Sequence, residues 1–229
     1  VLASTGGSRA PLLLGIETGD DERLAACVYA FMANHREIKN RPADEHRLQV
    51  RYGDVNDAAW RSEDHPVGFD PLGADVTVIV GTHIEADLII GLDPVLYDPL
   101  PIGISIEFKD SEVQQAVQQG WHVWERDNLS GTRRTSPRAT IGVETIVAFT
   151  PDRMLDYLRF ERDAHSLLLD PPLRFARAEA ARDPRSPHGR NALELQFGLS
   201  SAEILDLIGE RPRLGMAVKG GVAERHLET

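Results

Sequence analysis

Short stretches rich in β-branched and aromatic residues recur along this chain, each bounded by proline, glycine, asparagine or aspartate. Stretches of this kind are typical of β-strands. Between residues 75 and 149 one segment with helical periodicity interrupts them, and a second helical segment begins at Thr150. The resulting order of three strands, helix, two strands and helix predicts an α/β fold, in which helices flank a mixed central sheet.

Local patterns predict where these elements lie. Residues 46–52 alternate apolar and polar side chains, as a half-buried strand does. Ser111 to Gln114 match a capping box, and Gly120 ends the helix that follows. Residues 11–16 and 24–32 are two apolar stretches that are expected to form a hairpin, although the second could also be helical. The predicted strands cover residues 11–16, 24–32, 46–52, 75–81, 87–92, 102–109, 121–125 and 142–149, with 75–109 as a meander; the predicted helices cover 111–119, 150–166 and the segment after Pro172.

Composition excludes several classes of protein and site. The single cysteine, Cys27, rules out a disulfide framework and zinc sites built from cysteines, and it is expected to pack in the core. The longest apolar run, Leu88 to Leu92, is far shorter than the ~20 residues of a membrane helix, which favours a cytoplasmic protein. The net charge of -11 argues against non-specific coating of nucleic acid. A chain that begins with Val1 and ends in a helical pattern at Thr229 is expected to be part of a longer protein.

The segment from Gly103 to Lys109 contains the pattern with the clearest chemical meaning. Side chains alternate along a strand, so Ser105, Glu107 and Lys109 are predicted to share one face. Only three of the 25 basic residues are lysines, and a lysine suits the holding of a water in a way that arginine does not. Glutamate is a hard oxygen ligand for Mg²⁺. A second copy of the pattern, Glu37-Ile38-Lys39, lies in a polar context that indicates an exposed segment.

A metal site would require a second acid close to Glu107. If residues 87–92 and 103–109 form a hairpin that turns near Asp98, then Asp87 lies opposite Lys109 and beside Glu107. In the same register Asp93 lies about 14 Å too far along the strand. The hypothesis therefore places Mg²⁺ between Asp87 and Glu107, with Asp93 in reserve because the connection is long.

Ala86-Asp87-Leu88-Ile89-Ile90, Ile106-Glu107-Phe108-Lys109 and the helix with Gln114 and Gln118 together resemble the PD-(D/E)XK nuclease superfamily, the fold of many restriction endonucleases. The resemblance covers residues 75–149, and Ala86 replaces the proline of the family's name. It implies that Asp87 and Glu107 bind Mg²⁺ and that Lys109 assists the attacking water. Gln114 or Gln118 would steady the lysine or a phosphate. Many members add another glutamate, for which Glu37 and Glu45 are possible.

A polar loop after the predicted strand at 121–125 is the expected DNA contact. From residue 126 to 138 it carries four arginines and one acid, and arginines in such a loop suit phosphate contacts or bidentate reading of guanine. The expected partner is double-stranded DNA, bound by a homodimer that needs no small-molecule cofactor other than the metal. The four arginines are Arg126, Arg133, Arg134 and Arg138.

The main hypothesis is a Mg²⁺-dependent DNA endonuclease of restriction type. Residues 1–69 would form a strand-rich recognition or support region, 70–168 the nuclease core, and 169–229 a helical accessory region. The short helices expected after Leu199 either resemble a helix-turn-helix or pack as ordinary helices. One alternative is a catalytically idle DNA-binding or assembly module with a nuclease-like fold. Another is a structure-specific repair or recombination nuclease. Each pattern also has a structural reading, namely a surface ion pair for the acids and Lys109, and a solvated surface for the glutamines and the loop.

Overall fold

The computed structural model of the chain describes residues 3–5, 11–18, 22–35, 42–53, 56–63, 65, 67, 73–127 and 143–183. Two compact units divide the chain, the first from Val1 to Met154 and the second from Leu155 to Thr229. The strands are β1 (Ala3–Thr5), β2 (Leu12–Glu17), β3 (Arg23–His35), β4 (Glu45–Val50), β5 (Val76–His83), β6 (Leu88–Leu92), β7 (Ile104–Lys109), β8 (Trp121–Asp127) and β9 (Val143–Phe149). The α-helices are α1 (Ala58–Ser62), α2 (Asp110–Gln119), α3 (Met154–Ser166) and α4 (Pro171–Arg182).

A single mixed sheet contains all nine of these strands. β3 pairs in parallel with β5, and the other pairs are antiparallel. The pairing order runs β7, β4, β3, β5, β6, β9, β8, and β2 and β1 extend from another part of β3. The predicted α/β fold with a mixed central sheet is therefore confirmed.

The predicted meander is only half right. β5 and β6 form the expected antiparallel pair, with His83 opposite Leu88. β7 does not continue it, because β7 pairs with β4 and the second neighbour of β6 is β9. The connection between β6 and β7 carries a 3₁₀ turn (Pro94–Tyr97) rather than a tight hairpin turn. β4 instead offers β7 a partner with the same alternation of buried and exposed residues, apart from the buried Arg47.

One large apolar cluster of the first unit lies against one face of this sheet. Cys27, Leu48, Ile79, Ile90 and Ile106 are fully buried within one apolar cluster, so the expected packing of Cys27 is confirmed. Leu48 of β4 lies so close to Gly81 of β5 that a Cβ atom at Gly81 would overlap the leucine side chain. The absence of a side chain at Gly81 therefore leaves room for the Leu48 side chain, beside Ala33 of β3.

Replacing Gly81 with alanine should destabilise the protein by about 1–3 kcal/mol, because the new methyl group overlaps Leu48, which is completely buried and must shift against its neighbours. Urea denaturation measures the loss. The double variant Gly81→Ala/Leu48→Ala also shortens the side chain that the new methyl group would overlap. Its loss of unfolding free energy should therefore be smaller than the sum of the losses in the two single variants. Additive losses would show that the two positions do not share this space.

The helices lie close to where the sequence predicts them. α2 ends at Gly120, whose φ of 71° is the left-handed conformation that ends a helix. The capping box at Ser111 is wrong, since the helix starts one residue earlier and the capping residue Lys109 has no side-chain capping bond. The helix after Thr150 is confirmed as a 3₁₀ turn followed by α3, and α4 is the helix expected after Pro172. The expected C-terminal helices beyond residue 183 lie outside the described residues.

Two further expectations concern domains and the membrane. Strands from residues 1–69 and from 70–168 share one sheet, so the boundary predicted at residue 69 falls within it. The compact units divide between Met154 and Leu155, and the predicted three-part domain organisation stays a prediction. Within the part of the chain that the structure describes, no helix is long and apolar enough to cross a membrane.

Candidate functional site

Polar residues gather at one edge of the sheet, which we call the carboxyl edge because β3, β5 and β7 run in the same direction and end there. His35, His83 and Lys109 are the last residues of these three strands. The antiparallel strands β4 and β6 begin at the same edge, and α2 starts there directly after Lys109. Residues far apart in the sequence thus meet at one place.

The Glu-x-Lys strand has the two faces that its sequence predicts. Ile106 and Phe108 are buried, whereas Ser105, Glu107 and Lys109 are exposed. The Lys109 ammonium donates a hydrogen bond to Asp44 Oδ1 at 3.0 Å. This hydrogen bond, supported by the lysine's charge, holds the pKa of Asp44 below its usual value. The acid in contact with Lys109 is therefore Asp44, which the sequence analysis did not identify.

β4 places a second pair of charges beside Glu107 and Lys109. In the register of β4 and β7, Glu45 lies opposite Lys109 and Arg47 lies opposite Glu107. The Arg47 guanidinium donates from Nη2 and Nε to Glu45 Oε1, at 2.8 and 3.2 Å. The side chains of Arg47 and Glu45 are only 10% and 14% exposed. Acids and bases therefore alternate over this ribbon.

The predicted pairing of Asp87 with Lys109 is wrong. Asp87 precedes β6, and three strands, β4, β3 and β5, separate β6 from β7 in the pairing order. Asp87 still lies at the carboxyl edge, in the left-handed conformation with φ 52°. The reserve residue Asp93 lies at the opposite edge, where its side chain accepts a hydrogen bond from the Val95 amide. Glu45 occupies the position that the sequence argument gave to Asp87, because the strand beside β7 is β4.

Two buried histidines link the core to this edge. His83 Nδ1 accepts a hydrogen bond from the Ala86 amide at 3.3 Å. His83 therefore carries its proton on Nε2 and donates to His46 Nδ1, 2.9 Å away. His46 in turn donates from Nε2 to Asp110 Oδ1 at 3.2 Å. His46 and His83 are 6% and 1% exposed, so this chain of hydrogen bonds runs through the protein interior.

The neutral state of His83 should make the fold sensitive to acid. Burial is the main cause that lowers the pKa of His83, and the proximity of the His46 imidazole lowers it further. The unfolded chain therefore binds this proton more readily, and stability should fall as the pH decreases through the usual histidine value of about 6.5. Thermal unfolding at several pH values between 7 and 5 measures the effect. In His83→Gln, the unfolding temperature should depend less steeply on pH than in the parent protein. An unchanged dependence would assign the acid sensitivity to other groups.

Gln114 also belongs to this network. Its side-chain amide donates to Asp110 Oδ2, so it supports the first turn of α2. The structure thus pairs Gln114 with Asp110 rather than with Lys109, and its predicted catalytic role stays a prediction. Gln118 is exposed on the same helix.

The predicted DNA loop leaves the sheet at the opposite edge. β8 starts beside α2 and ends at Asp127, which pairs with Val143 far from Lys109. Arg126 lies near this end, and its guanidinium is 3.4 Å from the fully buried Glu144 carboxylate, which also accepts a 2.8 Å hydrogen bond from Tyr97. Arg133, Arg134 and Arg138, like Glu37 and Lys39, lie outside the described residues.

The sequence analysis missed His46, His83 and Asp110 because these residues contact one another only after the strands pair. The separations of 37 and 64 residues match no local motif. Within the described ranges, no group of three or more histidine, cysteine, aspartate or glutamate residues is arranged to hold a metal ion. The one local sign of polar residues at this edge is that Glu45 and His46 begin the alternating pattern of β4.

A family model described as methylase-associated X1 matches residues 24–158, more than half of the 229 residues. The chain belongs to the methylase-associated X1 family. The match runs from the start of β3 into α3 and contains every residue described at the carboxyl edge. No curated protein and no solved structure matches the chain significantly. The methylase-associated X1 region therefore includes the whole candidate site.

Proposed function

We propose that this methylase-associated X1 protein is a Mg²⁺-dependent endonuclease for double-stranded DNA, as its resemblance to PD-(D/E)XK nucleases implies. The observation that carries the proposal is the exposed Glu107 and Lys109 pair at the end of β7, with Asp44 bonded to the lysine and Glu45 opposite it. An acid and a lysine on one exposed strand face, next to further acids, are suited to cleavage of a phosphodiester bond.

The donor set suits a hard cation. Mg²⁺ commonly takes one or two protein carboxylates and completes its coordination with water and phosphate. Glu45 and Glu107 are diagonal neighbours on one face of the β4–β7 ribbon and would hold the ion. Bound there, Mg²⁺ would stabilise the charge that develops on the phosphate and assist loss of a proton from the attacking water.

The surrounding residues would orient the substrate. Asp44 holds the Lys109 ammonium at the edge, where it could contact a phosphate or a water. Arg47, opposite Glu107, adds a second positive charge to the ribbon while it is bonded to Glu45. Two cations beside two carboxylates would allow an acidic protein to accept a DNA backbone locally.

Association with a methylase suggests the biological setting. The family name links these domains to methylases, and an endonuclease acting beside a DNA methylase is the arrangement of restriction–modification. We therefore propose that cleavage depends on the methylation state of the DNA.

A plasmid-cleavage assay tests both parts. The protein is incubated with methylated and with unmethylated supercoiled DNA, in Mg²⁺ and in EDTA. We expect linear or nicked product only with Mg²⁺ and from one methylation state. Absence of cleavage in every condition would reject the nuclease, and equal cleavage of both substrates would reject methylation dependence.

DNA affinity is predicted to depend on the arginine loop. Each phosphate contact contributes about -0.9 to the slope of log K against log salt, so Arg133→Ala/Arg134→Ala should reduce that slope by roughly one to two units. Binding measured by fluorescence anisotropy at several salt concentrations, on cognate and random duplexes, gives the slope. An unchanged slope and affinity would show that the loop is a solvated connection.

A catalytically idle DNA-binding or assembly module is the second candidate. The alternation of charges favours it, because Arg47 already neutralises Glu45 and Asp44 already engages Lys109. Specific DNA binding without cleavage in any divalent metal would support this candidate over the endonuclease.

A further inference from the structure

We infer that His83, His46 and Asp110 form a positioning brace, which holds the acid-bearing start of β4 against the end of β7. The brace consists of the hydrogen bonds from the Ala86 amide through both imidazoles to the Asp110 carboxylate. None of its members is one of the proposed metal-binding or lysine-holding residues. The inference rests on the proposed function for its catalytic consequence, but the brace itself can be measured without activity.

Asp110 is the point where the brace meets the site. Its carboxylate accepts bonds from His46 and Gln114, and its amide donates to the Asp44 carbonyl at 2.8 Å. Asp110 directly follows Lys109, while Asp44 precedes Glu45. Fixing Asp110 therefore fixes the backbones that carry Lys109 and Asp44, and with them the 3.0 Å contact between the two side chains.

The other end of the brace reaches the turn before Asp87. The Ala86 amide that binds His83 belongs to the 3₁₀ turn Ile84–Ala86, and the Asp87 amide donates to the Ile84 carbonyl. This path thus joins the start of β6 to the start of β4 and the end of β7. Because both imidazoles are almost fully buried, water cannot replace a lost bond easily.

The chemistry of the brace is specific. It requires both histidines to carry the proton on Nε2, because each Nδ1 accepts a hydrogen bond. Stacking of His46 on Phe108, with ring centroids 5.7 Å apart, further restrains the central imidazole. A merely space-filling pair of histidines would not need one shared tautomer.

Three measurements on the full chain test the inference, using Asp110→Ala, Asp110→Asn and His46→Leu, with Gln115→Ala, an exposed position on the same helix, as control. Nitrogen-15 NMR of the histidines should show the Nε2–H tautomer for His46 and His83. Hydrogen exchange at the Ala86 and Asp110 amides should accelerate about tenfold in His46→Leu, and at Asp110 in Asp110→Ala, as loss of one buried hydrogen bond implies. Amides of β5 and β6 should keep their protection.

In the active protein, Asp110→Ala should lower kcat for plasmid cleavage about tenfold or more with little change in KM, because a misplaced group mainly loses transition-state interactions. Asp110→Asn, which still accepts a bond from His46, should restore most of the rate, and Gln115→Ala should match the parent. If His46→Leu does not fold, the Asp110→Ala measurements alone test the inference, because the Asp110 side chain is about half exposed and its loss should leave the fold intact.

An Nδ1–H tautomer at His83, or unchanged exchange at Asp110 in Asp110→Ala, would overturn the inference. So would an unchanged kcat in Asp110→Ala. If the parent protein cleaves no DNA, the proposed function fails, while the tautomer and exchange measurements still decide whether the brace exists.

Discussion

Glu107→Gln and Lys109→Met should each reduce DNA cleavage by about 10²–10³-fold, the usual loss when one group that stabilises the transition state is removed. Both side chains project from the exposed face of β7, so neither change should alter unfolding by more than ~0.5 kcal/mol. Initial rates on supercoiled plasmid in Mg²⁺ measure the effect, and thermal unfolding checks the fold.

Ser105→Ala is the matched control, because Ser105 lies two residues before Glu107 and on the same exposed face of β7. It should cleave at nearly the parent rate. A parent rate in either Glu107→Gln or Lys109→Met would place the reaction elsewhere in the protein, and Glu37 with Lys39 would become the next pair to test.

The same assay separates the two assignments of the second acid. If Glu45 and Glu107 hold the ion, Glu45→Gln should lose activity and Asp87→Asn should retain it. Asparagine tolerates the left-handed conformation of Asp87, so that variant should fold normally. Loss of activity in Asp87→Asn alone would restore the original assignment. The metal can also be located directly, by a crystal soaked in Mn²⁺.

Arg174→Met or Glu161→Leu should destabilise the protein by about 3–5 kcal/mol, because each leaves an uncompensated charge in the interior. In the second unit Arg174 Nη2 lies 2.5 Å from Glu161 Oε1, with side chains only 5% and 2% exposed. The Tyr157 hydroxyl also donates to Glu161 at 2.8 Å. For a chain of this size the loss corresponds to a decrease of roughly 6–20 °C in Tm.

The double variant Glu161→Leu/Arg174→Met removes both charges and should recover much of the stability, since a buried ion pair contributes little beyond an apolar pair of similar volume. Arg182→Ala on the same helix is the control, because its contact with Glu179 is 3.8 Å and more exposed. Its loss should be at most about 1 kcal/mol. Equal losses for Arg174→Met and Arg182→Ala would contradict this account of the buried pair.

The elements of the fold could be predicted from the sequence because each depends on local chemistry. Alternation of apolar and polar residues located β4 and β7, and it also assigned Glu107 and Lys109 to the exposed face. Gly120 marked the end of α2, because glycine readily adopts its positive φ. In each case the element is located by the hydrophobic periodicity of a few neighbouring residues, or by the backbone preference of one of them.

The partners of β7 could not be predicted in the same way. Proximity along the chain favoured β6 as the partner of β7, but the sheet places β4 there. Arg47 of β4 pairs with Glu107 of β7, which lies 60 residues further along the chain. Both strands are apolar on one face, so the local pattern fits either neighbour. Only the assembled sheet decides which polar side chains meet.

The sequence by itself therefore determined the α/β class, most strands and helices, and the exposed Glu-x-Lys face of β7. The tertiary structure decided that Asp44 and Glu45, rather than Asp87, lie beside that face, and that His83, His46 and Asp110 join at the carboxyl edge. The physical reason is that side-chain direction follows from local backbone geometry, whereas the choice of neighbouring strand depends on burial summed over the whole sheet.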